Sequence, residues 1–156
     1  MDGSARDETI KCIVDYLQCH RILTMATATK DGDPDATALE YTNDGVAVYV
    51  SCRPGSRKVE NILENPRVFY EVHDDIEITR ESVKKLKAVQ VAASATVLRP
   101  GMQGFDHAFS LLVAKFPVFS TMQMDSRVIL KFTPRKAWFL DYKRKFFHRD
   151  EVSFES

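Results

Sequence analysis

The stretch Arg53-Pro54-Gly55-Ser56-Arg57-Lys58-Val59-Glu60-Asn61-Ile62-Leu63-Glu64-Asn65-Pro66 decides the reading of this chain. Just before it, Val46-Ala47-Val48-Tyr49-Val50 is an unbroken apolar run, which predicts a buried strand. Within it, Val59, Ile62 and Leu63 recur at i, i+3 and i+4, which predicts a short amphipathic helix. Ser56 stands where an N-cap belongs. Asn65-Pro66 ends the helix, because the residue before a proline is pushed out of the α region. The unit is strand, tight turn, helix.

The charges of that turn run against the helix dipole. A helix N-terminus carries partial positive charge and favours Asp or Glu by roughly 0.3–1 kcal/mol each. Here Arg53, Arg57 and Lys58 surround it, and the first acid is Glu60. Backbone N–H groups, a hydroxyl and three cations on one spot suit an anion, with phosphate foremost. A solvated basic turn, neutralised by acids from elsewhere, fits the same residues.

The background is neutral. Among 156 residues, Lys and Arg together number 22, and so do Asp and Glu. A zero balance speaks against a general nucleic-acid or membrane-surface binder, which needs a basic excess. The length fits one domain, residues 1–156, able to bury its own core. Cys12, Cys19 and Cys52 form no Cys-x-x-Cys pair, and His20, His73, His107 and His148 show no ligand spacing, so no metal site is expected. With no signal peptide and no apolar run near 18 residues, the expected location is the cytoplasm, with reduced thiols and no membrane partner.

Outward from the central unit, residues 1–6 are polar and are expected to be disordered. Ile10, Ile13, Val14 and Leu17 mark a helix from Asp7 to about residue 19. Residues 22–29 read as a strand, Lys30-Asp31-Gly32-Asp33-Pro34 as a turn, and residues 35–42 as a second strand. Asn43-Asp44-Gly45 turns into the 46–52 strand. Beyond the short helix, residues 67–73 read as a strand and 74–85 as a polar connection with room for a helical turn. Val89, Val91, Ala93, Ala95 and Val97 alternate cleanly within a strand at 87–99. Phe105, Ala108, Phe109, Leu112, Val113 and Phe116 mark a helix closed by Pro117. Residues 126–133 and 136–140 read as two strands, or as one strand bent at Pro134, followed by a basic tail at 143–156. Six or seven short strands with few helices predict a mainly β chain, a small antiparallel barrel with flanking helices.

One set of residues carries a resemblance. Leu23-Thr24-Met25-Ala26-Thr27, Asp31-Gly32-x-Pro34, Asp44-Gly45, Tyr49, Ser56-Arg57-Lys58, Asn61 and Asn65-Pro66-Arg67-Val68 together resemble the pyridoxamine 5′-phosphate oxidase-like, FMN-binding split-barrel superfamily. The match is good over residues 8–74 and looser beyond. The resemblance implies a six- to seven-stranded split barrel and a homodimer with two flavin sites at its interface. It implies that Arg57 and Lys58 hold the FMN phosphate with Ser56 nearby, and that Ser51 and Cys52 lie along the ribityl chain or the flavin edge. Two departures point to a small single-domain relative rather than the vitamin B6 oxidase. Pro34-Asp35-Ala36-Thr37-Ala38-Leu39 lacks the oxidase's basic residues, and Phe146-Phe147-His148-Arg149-Asp150 only echoes its C-terminal motif.

Four further candidates each keep two readings. Trp138 and Tyr142 suit stacking on a flat ring, or Trp138 is core. His148 and Arg149 reach the partner's flavin, or belong to a solvated tail. His73-Asp74-Asp75 orients a proton donor, or is a turn. Lys143 to Arg149 binds single-stranded nucleic acid, or is surface charge, and the zero net charge favours the latter. No nucleophile–base pair is visible, as fits a flavoprotein whose cofactor carries the hydride chemistry. The expected function is an FMN-dependent oxidoreductase acting on a small acceptor. A deazaflavin reductase and a non-catalytic flavin- or haem-binding protein are the alternatives.

Overall fold

The structure, a computed structural model, describes residues 2–122 and 126–155. Seven strands form one antiparallel sheet: β1 (Ile22–Ala28), β2 (Pro34–Asp44), β3 (Ala47–Cys52), β4 (Arg67–His73), β5 (Lys87–Leu98), β6 (Val128–Asp141) and β7 (Arg149–Ser153). The order β3-β2-β1-β4-β5-β6 closes because β6 also pairs with β3, so these strands make a barrel and β7 extends β6 outside it. Helices α1 (Gly3–Cys19), α2 (Arg57–Glu64) and α3 (Phe105–Lys115) pack around the barrel, with 3₁₀ turns at Ser82–Lys85 and Pro117–Thr121. No helix among the described residues is long and apolar enough to cross a membrane.

Alternation decides which side chains fill the barrel. Val89, Val91, Ala93 and Ala95 of β5 are buried, and they meet Leu23, Met25, Tyr70 and Phe132 from neighbouring strands. β3 is buried on both faces, which is why it reads as a continuous apolar run. Val48, Val50 and Cys52 belong to the barrel core, while Tyr49 packs under α3 with Phe105, Ala108 and Leu112. On α2, Val59 and Ile62 are buried as the periodicity requires, but Leu63 is 61 % exposed. The helix has only eight residues, and its contact with the barrel is narrower than the sequence pattern suggests.

Residues 128–141 form one strand rather than two, with its irregularity beside Pro134. The β5–β6 register slips between Ala92, opposite Lys136, and Ala93, opposite Pro134, so Arg135 bulges. Before the bulge β6 pairs with β3, and after it with β7.

The N-terminus corrects the expectation of disorder over residues 1–6; Met1 lies outside the described residues. α1 starts at Gly3, where the Asp2 carboxylate accepts from the Ala5 amide at 2.8 Å. Arg6 then reaches β7, donating to the Ser153 carbonyl at 3.3 Å and lying over the Phe154 ring at 5.7 Å. The tail is corrected in the same way, because residues 149–153 form a strand rather than a solvated basic end. Ser156 lies outside the described residues.

The last turn of α1 has no basic residue of its own. Other elements satisfy its carbonyls. Tyr41 donates its hydroxyl to the Leu17 carbonyl at 2.6 Å, and Lys115 of α3 reaches the carbonyls of Leu17 and His20. The Lys115 ammonium also sits 4.1 Å from the Tyr41 ring centroid. Burial, helped by Arg21, still pushes the Lys115 pKa down to about 8 from 10.5. The folded state therefore binds this proton less tightly than the unfolded chain, and stability rises with pH between those values. Stability at pH 9.5 should exceed that at pH 8 by about 1 kcal/mol, discounted because Lys115 is only half-buried. Urea titrations at the two pH values check this, and Lys115→Met should flatten the difference.

Candidate functional site

The C-terminal end of β3 leads into the turn Arg53-Pro54-Gly55 and then α2. Ser56 occupies the N-cap position in extended conformation (φ −72°, ψ 154°), yet its side chain caps nothing. The hydroxyl turns back and donates to the Arg53 carbonyl at 2.9 Å. The turn thus braces itself, and no side-chain oxygen shields the amides at the start of α2 from an incoming anion. Beside it lies an open groove of about 560 Å³ lined by Arg53, Pro54, Gly55, Ser56 and Ser126.

Cations gather here from two elements. Lys58 is half-buried, and Arg57 is exposed with its Nε 3.3 Å from the Asp35 carboxylate. Arg127, one residue before β6, was not visible as a site residue in the sequence. It is brought in by the pairing of Cys52 with Val128. Its Nε donates to the Ser51 hydroxyl at 2.9 Å and its Nη2 to the Ser51 carbonyl at 3.2 Å. Burial pushes the Cys52 thiol up, against the opposite pull of Lys58, Ser56 and Arg127. Those three groups therefore crowd a buried, neutral thiol. Ser51 and Cys52 are 5 % and 3 % exposed and form the floor under the turn.

The remaining candidates sit elsewhere. Trp138 is not core. It lies half-exposed on the outer face of the barrel, stacked on Phe69 with centroids 6.0 Å apart, its Nε1 donating to Glu151 at 2.8 Å. His148 Nε2 lies 2.8 Å from the Asp150 carboxylate, and Arg149 donates to Gln90 at 3.1 Å. Together with Lys145, Phe146, Phe147 and Glu151 they line a second groove of about 470 Å³. Phe147 has φ 63°, the only positive φ outside glycine among the described residues, and is 73 % exposed. A bulky residue in that region is strained by roughly 1–2 kcal/mol, and the strain here holds an aromatic ring in the open. Tyr142 packs on Phe146 at 5.2 Å beside this turn.

His73 ends β4, and Asp74 and Asp75 begin the connection after it. His73 pairs with Glu71, while Asp74 accepts from the Tyr16 hydroxyl at 2.8 Å and the Lys87 amide at 2.9 Å.

The two groups lie at opposite ends of β6. Val128, opposite Cys52, and Trp138 are ten residues apart on that strand (128 to 138), which at about 3.3 Å per residue is roughly 30 Å. One chain does not bring its β3–α2 turn and its β6–β7 turn together.

The pyridoxamine 5′-phosphate oxidase family matches this chain over residues 10–141. No curated protein matches it in sequence. Solved structures match in fold. A haem-binding protein from Mycobacterium smegmatis superposes with TM-score 0.73 at 16 % identity, over 98 % of this chain and 59 % of that one. The chain thus spans well under two-thirds of that protein's length. A conserved hypothetical protein from Mycobacterium tuberculosis gives TM-score 0.72 at 19 % identity, over 98 % and 92 %. HutZ, the haem storage protein from Vibrio cholerae, gives 0.66 at 15 % identity, over 83 % and 89 %. At these identities the superpositions speak for the fold alone. With the closed antiparallel barrel and the family match over most of its length, the chain belongs to the pyridoxamine 5′-phosphate oxidase family of split-barrel proteins.

Proposed function

We propose that the protein is a cytoplasmic, homodimeric FMN-binding oxidoreductase that passes electrons or hydride to a small acceptor. The observation that carries this reading is the convergence of Arg53, Arg57, Lys58 and Arg127 on a helix N-terminus without a side-chain cap. A phosphate dianion fits such a place, since it accepts from backbone amides and guanidinium forks together. Arg57 and Lys58 hold the phosphate, and Arg127 keeps the Ser51–Cys52 floor in place beneath it. Flavin, when bound, supplies the hydride chemistry, and the protein supplies orientation and polarity.

The distance between the two groups supports a second copy of the chain in this reading. Trp138, His148 and Arg149 serve the flavin of the partner's β3–α2 turn. The outer faces of β1, β2 and β4 support such an association. Ala26 pairs with Ala36 and with Phe69, Thr24 pairs with Ala38, and Phe69 is 39 % exposed. The centre of that face is made of small and apolar residues, with Glu40 and Glu71 beside them, which suits a two-fold contact.

Haem is the second reading. His148 beside Phe146, Phe147, Lys145 and Arg149 offers a nitrogen ligand, aromatic walls and cations for carboxylates. Two structures of like fold are those of haem proteins. The bond from His148 Nε2 to Asp150 counts against it, because iron ligation through that nitrogen breaks the pair.

The purified protein should bind one FMN per chain at micromolar concentration, with a flavin spectrum and no Soret band after exposure to haem. Arg57→Ala with Lys58→Ala should weaken FMN binding by about 100-fold or more, since hydrogen bonds to charged groups are worth roughly 1.5–3 kcal/mol each. Unchanged affinity in a fluorescence titration places the phosphate elsewhere.

Subunit mixing tests the shared site. A mixed dimer pairs one chain carrying Arg57→Ala and Lys58→Ala with another carrying Trp138→Ala and Arg149→Ala. It should bind one FMN, because both damaged halves fall in the same site. Each variant on its own should bind no FMN, and if the chain carrying Trp138→Ala and Arg149→Ala binds FMN as the wild type does, the site is not shared.

A further inference from the structure

Arg57 and Asp35 make an unexpected pair at the phosphate turn, and their surroundings show which partner moves. Asp35 is fixed. It sits opposite Thr27 in the β1–β2 register, and its side chain is only 22 % exposed. The turn next to it is closed by the Thr29 amide on the Asp33 carbonyl at 2.9 Å and the Asp33 amide on the Thr29 hydroxyl at 3.1 Å. Arg57 is free to swing, with its side chain 83 % exposed. One helical turn on, Asn61 donates to the Thr27 hydroxyl at 3.0 Å. The pair Arg57 and Asn61 on α2 thus meets the pair Asp35 and Thr27 on the barrel. The groove between them, about 220 Å³, is lined by Thr29, Asp33, Pro34, Asp35, Arg57 and Asn61.

We propose that Asp35 is a built-in competitor for the anion at this turn: its carboxylate holds the Arg57 guanidinium until a phosphate displaces it, and so sets how tightly phosphorylated ligands bind. This rests on reading the turn as the FMN phosphate site and adds a residue that tempers its affinity. A carboxylate and a phosphate present the same acceptor pattern to a guanidinium fork, so Arg57 cannot serve both fully. The phosphate carries more charge and also gains the α2 amides, so it wins against an exposed ion pair worth only about 0–1 kcal/mol. A singly charged carboxylate ligand, with the same charge as Asp35, has little advantage over it. The pair therefore weakens every anion that needs Arg57 by the same factor, so that only anions with strong further contacts, phosphate esters foremost, fill the turn.

Asp35→Asn tests this, because asparagine keeps an oxygen for Arg57 and removes only the charge. Dissociation constants for FMN and riboflavin are measured by flavin fluorescence on the wild-type chain, Asp35→Asn, Arg57→Ala and the double variant, and inorganic phosphate is titrated by NMR. Asp35→Asn should bind FMN about fivefold more tightly, with riboflavin affinity unchanged, and in the Arg57→Ala background it should change FMN affinity less than about twofold. Three results overturn the proposal while leaving FMN binding standing. Asp35→Asn leaves the FMN constant unchanged, or riboflavin gains as much as FMN, or the gain persists without Arg57. If neither wild type nor Asp35→Asn binds FMN or phosphate, the phosphate site itself falls and the proposal with it.

Discussion

A strand has two edges, and buried backbone groups on both must find partners. β6, at 14 residues, is where this constraint bears hardest. β5 covers one edge along nearly its whole length. The other edge is divided, with β3 on residues 128–132 and β7 on residues 136–140. Pro134 stands at the divide, and the carbonyl of bulged Arg135 accepts from the Phe154 amide at 2.9 Å. The division closes the barrel and also fixes what lies at each end. Pairing with β3 brings Arg127 onto Ser51. Pairing with β7 sets Trp138 beside Glu151 and holds the aromatic turn before it.

The electrostatics of α2 follow from that closure. The cations near its first turn oppose the helix dipole, each at a cost of roughly 0.3–1 kcal/mol. Serine caps normally offset part of such a cost by shielding the amides, but Ser56 spends its hydroxyl on Arg53. The buried thiol of Cys52 does not help, because burial keeps it neutral in spite of its basic neighbours. Among the described residues, Asp33 and Asp35 line the groove beside Arg57, Glu60 lies on α2, and Asp35 is the acid paired with an arginine of the turn. Among the described residues no ion pair reaches Arg53 or Lys58, and Arg53 lines a groove open to solvent.

Local signals made most of the barrel legible. Alternation in β5, the double burial of β3 and the Asp-Gly turns at 31–32 and 44–45 each speak within a few residues, and Gly32 and Gly45 adopt the positive φ that such turns need. What escaped is non-local. β7 has a single buried apolar residue, Val152, so no periodicity announces it. The first turn of α1 is held by Arg6 on that same strand, so missing one meant missing the other. Arg127 reads as an isolated cation until a register 76 residues away places it on Ser51. The Asp35–Arg57 contact likewise depends on how α2 lies across the β1–β2 hairpin, which no spacing encodes. The anion turn was readable because strand, turn and helix are contiguous, whereas the aromatic groove needs β6, β7 and the turn between them.

The two ends of β6 pose a problem that one chain does not solve. At one end stand the cations Arg53, Arg57, Lys58 and Arg127. At the other stand exposed aromatic rings and a strained Phe147, held out by a turn that pairs its own charges, Arg144 and His148 on Asp150. Neither end is what a lone chain's stability calls for, since exposed phenylalanine and left-handed strain both cost free energy. The proposed two-fold association would resolve both, because a self-complementary interface of that kind would set the α2 end of one copy against the β7 end of the other, twice. On the proposed dimer the flavin phosphate neutralises one end while its ring covers the other. The strain at Phe147 is then balanced by contacts absent from the single chain, and cofactor binding and assembly stabilise each other through the same site.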